Sequence, residues 1–179
     1  MNKYDSEEII HVKNGDLEYL QFKILNQHNV KNCITLKHGG VSKGEHESLN
    51  FRTLGTDKLE NVLKNLDIIS KELNFSNIHK GTQAHTDKVL ILDENNEQNY
   101  IFENLNKEEV DGYITDKKEI ATLITTADCN PIIIFDTKNR VVANVHAGWK
   151  GVINRIYINA INTMKERYNS NVEDIIVCI

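Results

Sequence analysis

Residues 125–151, TTADCNPIIIFDTKNRVVANVHAGWKG, decide the fold of this chain. Two apolar, β-branched runs at residues 132–136 and 141–146 flank a short polar turn, and this pattern predicts a β-hairpin. Cys129 stands just before the first arm, and His146 closes the second arm 17 residues later. Because the two arms are of similar length, we expect both side chains at the same edge of the sheet.

Apolar residues at three- and four-residue spacing predict two helices, at residues 57–73 and at about 149–168. Asp57 is expected to cap the first helix, with Glu60 three residues later as in a capping box. The second helix is predicted from an apolar stripe that starts at its first residue: Trp149, Val152, Ile153, Ile156, Tyr157, Ala160, Ile161 and Met164.

Further strands are predicted at residues 88–93, 121–126 and 175–179, and the last of them returns to the sheet of the hairpin. Some strands are adjacent along the chain and others are separated by helices. This order predicts an α+β fold in which mixed β-sheets are sandwiched between helices. Neither a repeat nor a linker marks a boundary, so residues 1–179 are predicted to form a single domain.

Composition excludes several classes of function. Hydrophobic residues make up 40% and charged residues 26% of the 179 residues, as in a soluble globular protein. The formal net charge is −5 and no basic run stands out, which argues against a nucleic-acid partner. The apolar runs are too short for a membrane span, and the first residues lack the apolar core of a secretory signal. Three cysteines make no complete disulfide set, so a reducing, cytoplasmic location is expected.

The end of the sequence, Asp174-Ile175-Ile176-Val177-Cys178-Ile179, is typical of a buried strand. Chain termini usually lie frayed at the surface, so we expect the fold to be incomplete at the C-terminus. A strand edge and some apolar surface are then expected to be exposed or covered by a second copy, and catalysis to be weak.

His85, Cys129 and His146 are candidate metal ligands. His85 lies just before the strand predicted at residues 88–93. One cysteine thiolate and two imidazoles suit Zn²⁺ and leave a position open for water or substrate. The spacing also permits another reading, in which Cys129 and His146 form a thiolate–imidazolium nucleophile pair.

Gly148, Lys150 and Gly151 follow His146 at the predicted start of a helix. The free N–H groups of a helix start, together with the charge of Lys150, could hold an anion such as phosphate. The alternative is that Gly148 only permits a tight turn from strand to helix.

The combined motifs resemble the family known as laccase-domain proteins, multicopper polyphenol oxidoreductases or peptidoglycan editing factors. The strongest signature is the pair Thr126-Ala127-Asp128-Cys129-Asn130-Pro131 and His146-Ala147-Gly148-Trp149-Lys150-Gly151. The supporting motifs occur in family order: His38-Gly39-Gly40-Val41-Ser42, Ser48-Leu49-Asn50, Gln83-Ala84-His85 and Val110-Asp111-Gly112-Tyr113-Ile114-Thr115. On this resemblance the chain would be about the first 70% of the family domain.

The resemblance implies a zinc site made of His85, Cys129 and His146, with copper as a possible metal. It implies phosphorolysis of adenosine, inosine and S-methyl-5'-thioadenosine, with adenosine deamination at the same site, where zinc-activated water attacks C6 of the purine. Asp128 joins Cys129 and His146 as an expected catalytic residue.

The resemblance also implies that Asn50, Gly148 and Lys150 bind substrate, a small nucleoside and phosphate. The family usually has Arg at the position of Lys150, so the charge is kept but bidentate phosphate binding is lost.

Three alternatives remain open at the level of sequence. The chain could be a Cys129/His146 amidohydrolase that edits peptidoglycan precursors, a copper-dependent polyphenol oxidase, or a truncated member that binds metal without turnover. Multicopper oxidation needs several coppers and more histidines than the seven of this chain, which disfavours the second.

Overall fold

The structure, a computed structural model, describes residues 3–53, 55–75, 77–93, 109–118 and 120–179. It divides into two compact units, Met1–Asn74 and Phe75–Ile179. The predicted fold class is confirmed, because the chain forms a mixed α/β fold with several sheets and few helices. None of the helices in the described ranges has the length and hydropathy of a membrane span.

The first unit begins with a three-stranded antiparallel sheet in the order β1-β2-β3. Its elements in chain order are β1 (Ile9–Asn14), β2 (Leu17–Phe22), α1 (Lys23–Gln27), β3 (Ile34–Thr35), a 3-10 turn (Gly44–His46) and α2 (Leu59–Leu73). The loop after β3 runs close to other backbone. A Cβ at Gly39 would lie 2.5 Å from the Cα of Leu17, and one at Gly40 would lie 2.2 Å from the carbonyl oxygen of Ser48. Only glycine fits at these two positions.

The helix α2 confirms most of the predicted apolar stripe, with Val62, Leu66 and Ile69 all buried. Leu59 and Leu63, also predicted on this stripe, are exposed. The prediction that Asp57 caps this helix is wrong. The N-cap residue is Lys58, and Asp57 instead accepts a hydrogen bond from the Lys58 backbone N–H at 2.8 Å. The other carboxylate oxygen of Asp57 accepts hydrogen bonds from side chains of the preceding loop. These bonds hold Asp57 one position before the N-cap residue.

The predicted capping box is also absent. The carboxylate of Glu60 accepts from Lys64 Nζ at 2.6 Å, so it pairs along the helix surface instead of reaching back to the N-cap.

The second unit contains the hairpin. Its elements are β4 (Asn77–His79), β5 (Val89–Ile91), β6 (Gly112–Thr115), β7 (Ile120–Thr122), β8 (Asn130–Asp136), β9 (Val142–Ala147), α3 (Trp149–Ile153), α4 (Ile156–Tyr168), a 3-10 turn (Val172–Asp174) and β10 (Ile175–Cys178). Five strands form one sheet in the order β10-β8-β9-β6-β5, and β4 and β7 form a separate parallel pair.

The predicted hairpin is confirmed as the antiparallel pair β8 and β9, in which Pro131 lies opposite His146. The predicted return of the last strand is confirmed too, since β10 pairs antiparallel with β8. Buried apolar residues of this sheet and of α4 make one core: Ile114, Ile132, Ile134, Val141, Ala143, Val145, Ala147, Ile156, Ala160 and Met164.

The predicted single helix at residues 149–168 is wrong, because the chain breaks it into α3 and α4. Arg155 stands between them with φ of +58°, a left-handed conformation that interrupts an α-helix. The apolar stripe is therefore buried only along α4. On α3, the side chains of Trp149 and Ile153 are 63% and 69% exposed.

The strand predicted at residues 121–126 is shorter in the structure and ends at Thr122. Thr125 lies beyond the ladder, and its backbone N–H and carbonyl bond the side chain of Gln83 instead. The prediction of one domain for residues 1–179 stays a prediction.

Candidate metal centre

Three predicted ligands converge in the second unit. The residues His85, Cys129 and His146 each offer one ligand atom, and these three atoms lie within 4.8 Å of one another. No other group of three or more His, Cys, Asp or Glu in the described ranges meets this condition. The two imidazole rings have centroids 5.1 Å apart and are tilted by 50°. His146 is buried, while His85 and Cys129 are half-buried, so the cluster is partly exposed to solvent.

His146 occupies the second-last position of β9, and the fold fixes it there through sheet pairing. Its backbone N–H donates to the carbonyl oxygen of Asp111 at 2.7 Å, just before β6 begins. Its Nδ1 lies 2.7 Å from Asp111 Oδ1, and Asp111 is fully buried. Burial alone would raise the pKa of Asp111, but hydrogen bonds from His146, Thr86 and Ala84 outweigh it and lower the pKa.

Cys129 lies in the turn before β8, beside an acidic neighbour. Its thiol lies 3.7 Å from Asp128 Oδ1, and Asp128 is exposed. Burial, followed by the negative charge and hydrogen bond of Asp128, raises the pKa of the Cys129 thiol. A metal-free Cys129 is therefore a protonated thiol at neutral pH, whereas an activated nucleophilic cysteine needs a lowered pKa.

His85 sits in a tight turn with φ of +58°. The turn is held by the carboxylate of Asp111, which accepts backbone N–H groups from Ala84, His85 and Thr86 at 3.2, 3.2 and 2.6 Å. Left-handed backbone is costly for a residue with a side chain, so this geometry depends on those hydrogen bonds.

Gly148 packs directly against the His85 ring. A Cβ at Gly148 would lie 3.1 Å from His85 Cγ, and one at Gly151 would lie 3.2 Å from the carbonyl oxygen of Thr86. The two glycines thus let the chain after β9 approach the His85 turn. The structure gives Gly148 this packing contact, and its role in substrate binding stays a prediction.

The expected anion site lies at the start of α3. The helix α3 has five residues, and the Nζ of Lys150 lies 5.4 Å from the ring centroid of Trp149. Lys150 is exposed, and it forms no ion pair with any residue that the structure describes. Its role in phosphate binding stays a prediction.

Asn50 lies in the first unit, in the loop that precedes α2. Its Nδ2 donates to Asp57 Oδ2 at 2.8 Å, and its Oδ1 accepts the Arg52 N–H at 2.9 Å. The amide is thus engaged in loop structure, and its predicted role in substrate binding stays a prediction.

Two side chains that support the cluster were not singled out from sequence. Asp111 precedes Gly112, and Asp-Gly is a common turn pair, so the local sequence indicates a turn and not a buried acceptor. Gln83 bridges the His85 turn to Thr125, four residues before Cys129, through three hydrogen bonds of 2.7, 2.7 and 2.9 Å. Both belong to motifs that carry the family resemblance, and this was the available signal.

The donor set fits a transition metal. Tetrahedral zinc has bonds of about 2.0–2.3 Å, which place neighbouring ligand atoms roughly 3.5 Å apart. The three ligand atoms, within 4.8 Å of one another, would close on such an ion with a small inward movement. Three protein ligands leave a fourth position open, as in catalytic zinc sites.

Comparison with known proteins shows the family and supports the fold. The chain belongs to the family described as multi-copper polyphenol oxidoreductase laccase, whose family model matches residues 31–179. It is 26% identical over 163 residues to a purine nucleoside phosphorylase of Bacteroides thetaiotaomicron, covering 84% of this chain and 57% of that protein. It is 32% identical over 131 residues to a purine nucleoside phosphorylase of Clostridium acetobutylicum, covering 73% of this chain and 50% of that protein.

Solved structures show the same fold. The hypothetical protein YfiH of Bacillus licheniformis superposes with a TM-score of 0.82 at 24% identity, covering 96% of this chain and 64% of that chain. YlmD of Geobacillus stearothermophilus gives a TM-score of 0.82 at 24% identity, covering 94% and 63%. The chain spans about half the length of the curated relatives it matches.

Proposed function

We propose that this protein is a zinc-dependent purine nucleoside phosphorylase that acts on adenosine, inosine and S-methyl-5'-thioadenosine, and that the same site deaminates adenosine. The observation that carries the proposal is the convergence of His85, Cys129 and His146 within 4.8 Å. Relatives named purine nucleoside phosphorylase supply the substrate class. When bound, zinc supplies Lewis-acid activation of water or of a substrate oxygen.

The residues around the cluster suggest how phosphorolysis would proceed. A phosphate oxygen forms a bond to the ribose C1′ while the bond from C1′ to the purine nitrogen breaks. The exposed ammonium of Lys150 would orient the phosphate as a single point charge. Asp128 is exposed beside Cys129 and would exchange a proton with the leaving base or, in deamination, with the attacking water.

The structure disfavours the hydrolase that uses Cys129 as a nucleophile. Burial and Asp128 raise the pKa of the Cys129 thiol, the opposite of what such an enzyme needs. A metal that replaces the thiol proton resolves this feature, since metal binding deprotonates cysteine. A copper oxidase is disfavoured because the described residues hold one such cluster.

The test is phosphate-dependent release of hypoxanthine from inosine and of adenine from adenosine, by protein loaded with one equivalent of Zn²⁺. Ammonia release from adenosine reports deamination in parallel. We expect activity that a chelator abolishes and that added Zn²⁺ restores. Protein that binds one Zn²⁺ tightly and shows neither reaction would overturn the enzymatic proposal.

Paired cysteine variants make the test specific. Cys129→Ser should abolish activity and weaken metal binding by at least about 100-fold, since it removes a ligand. Cys33→Ser is the matched control. Cys33 lies outside the cluster, and burial raises its pKa to about 12, so it stays a thiol in either state of the site. Equal losses in the two variants would assign the effect to thiol loss in general.

A further inference from the structure

One buried carboxylate contacts both imidazole-bearing segments of the cluster. Asp111 is 0% exposed and receives five donors. Oδ1 accepts from His85 N at 3.2 Å and lies 2.7 Å from His146 Nδ1. Oδ2 accepts from Ala84 N, Thr86 N and Thr86 Oγ1 at 3.2, 2.6 and 2.8 Å.

These contacts decide which nitrogen of His146 carries the proton. An ionised carboxylate carries no proton, so Asp111 can face the imidazole only as an acceptor. The Nδ1 of His146 must therefore be the protonated nitrogen, and Nε2 keeps the lone pair that a metal ligand needs.

The same carboxylate determines where His85 points. Three successive N–H groups, from Ala84 to Thr86, converge on Asp111, and they can do so only if the chain turns sharply at His85. The left-handed φ of +58° at His85 is that turn. Without the carboxylate, three buried or half-buried N–H groups would lose their acceptor and the turn would relax.

We propose that Asp111 is the positioning residue of the metal centre, which sets the tautomer of His146 so that Nε2 is the ligand atom and holds the turn that presents His85. The inference rests on the metal site of the proposed function, but it concerns the metal-free protein as well. Asp111 acts through both imidazoles without contacting a reacting atom.

The first experiment uses the unmodified, metal-free protein. Nitrogen NMR of the imidazoles at about pH 8.5, where an ordinary imidazole is neutral, reports which nitrogen carries the proton. The signals of His146 are assigned by their loss in His146→Gln. We expect the Nδ1–H tautomer, and finding the Nε2–H tautomer would overturn the proposal. This result does not depend on nucleoside turnover, so it can fail or succeed independently of the proposed function.

The second experiment replaces the carboxylate by an amide. Both oxygens of Asp111 face donors only, so the NH₂ of Asp111→Asn meets a donor in either orientation and breaks one arm of the network. We expect the dissociation constant for Zn²⁺, measured by competition with a chromophoric chelator, to rise 10- to 100-fold. Thr86→Val removes the hydroxyl contact to Oδ2 and the acceptor of the Lys88 N–H but keeps the backbone contacts to Asp111, so a smaller rise and an unchanged His146 tautomer are expected.

Asp136 provides the matched control. It is also 0% exposed and accepts backbone N–H groups of Lys138 and Asn139 at 2.8 and 2.9 Å, at the far end of the hairpin. Asp136→Asn should lower stability and leave the zinc affinity and the His146 tautomer unchanged. Zinc affinity that is unaffected in Asp111→Asn, or equally reduced in Asp136→Asn, would contradict a positioning role.

Discussion

Asn65 is a buried polar residue that supports the loops of the first unit. Its Oδ1 accepts the Val41 N–H at 2.8 Å, and its Nδ2 donates to Ser42 Oγ at 2.9 Å and to the Asn50 carbonyl at 2.8 Å. A side chain on helix α2 thereby replaces the strand partners that this irregular backbone lacks. The loops keep their shape because one amide satisfies several buried groups.

Asn65→Leu should therefore be severely destabilising. It keeps the volume but leaves the Val41 N–H and the Asn50 carbonyl without a partner, at about 1–3 kcal/mol for each group. We expect the free energy of unfolding in urea to fall by about 3 kcal/mol. Asn61→Ala, which removes a single bond to Asp57 on the same helix, should cost less than half as much. Equal losses would contradict a stabilising role for the Asn65 network.

Gly148 tests how tightly the His85 ring is packed. Its φ of −70° suits any residue, so the effect of Gly148→Ala is steric. The new Cβ would lie 3.1 Å from His85 Cγ, closer than ordinary contact, and would push the ring away from the cluster. We expect zinc affinity to fall about tenfold, on the scale of other changes that misplace a ligand.

The control for that substitution is Gly55→Ala, where the nearest atom to a new Cβ is His46 Cε1 at 4.0 Å. It should leave zinc affinity unchanged. If Gly148→Ala binds zinc as tightly as this control, the contact with the His85 ring has no role in holding the ligand.

At the scale of elements, the cluster is assembled from three segments that the sheet alone does not join. Strand β9 delivers His146, the turn before β8 delivers Cys129, and the turn before β5 delivers His85. Gln83 joins the last two segments through its bonds to Thr125. Its amide hydrogen-bonds the Thr125 backbone just after β7 ends, as the backbone of a neighbouring strand would.

Gln83→Leu should loosen the Cys129 segment. The substitution keeps the volume and removes three hydrogen bonds, so Thr125 loses partners for its N–H and its carbonyl. We expect about tenfold weaker zinc binding with the His146 tautomer unchanged. Asn144→Leu removes a bond from β9 to the Thr122 carbonyl and serves as the control. Similar zinc affinities in the two variants would contradict this role for Gln83.

The elements that sequence predicted well are those with strong local signals. The hairpin followed from two apolar arms and a polar turn, and α2 followed from a clear 3.6-residue period. The break between α3 and α4 was missed because nothing in the sequence around Arg155 signals a left-handed residue. An apolar stripe predicts correctly which side chains share a face when the helix is continuous, and it fails when the helix is broken.

The candidate site was harder to predict for a physical reason. His85, Cys129 and His146 come from segments far apart in the chain, so spacing alone gave a weak signal and the family resemblance supplied the set. Asp111 acts across 25 to 35 residues, on backbone N–H groups as well as on a ring. Such contacts depend on strand register, which local sequence patterns do not specify.

At the scale of the whole molecule, metal and proton compete for Cys129. Because burial and Asp128 raise the pKa of its thiol, metal binding at neutral pH must displace a proton. Between about pH 7 and 8.5, which lies below the raised pKa, loss of this proton should make the apparent zinc affinity rise with pH. The contribution of Cys129 to that rise is about tenfold per pH unit. The sign follows from the direction of the shift, since a lowered pKa would make this contribution flat over the same range.

Competition titrations in buffers that do not bind metal check this dependence, with Cys129→Ser as the comparison. In the serine variant, the plot of the logarithm of zinc affinity against pH should have a slope that is smaller by about one proton per metal ion. If the two proteins show the same slope, Cys129 does not bind the metal as a thiolate formed on binding.

The left-handed backbone of His85 implies a trade-off between folding and function. A side chain in this conformation costs about 1–2 kcal/mol, and glycine would adopt it freely. His85→Gly should therefore raise the thermal midpoint of the metal-free protein while deleting one arm of the cluster. Directed evolution for heat resistance without a demand for activity would be expected to discard this histidine early, and selection for metal binding would be expected to restore it.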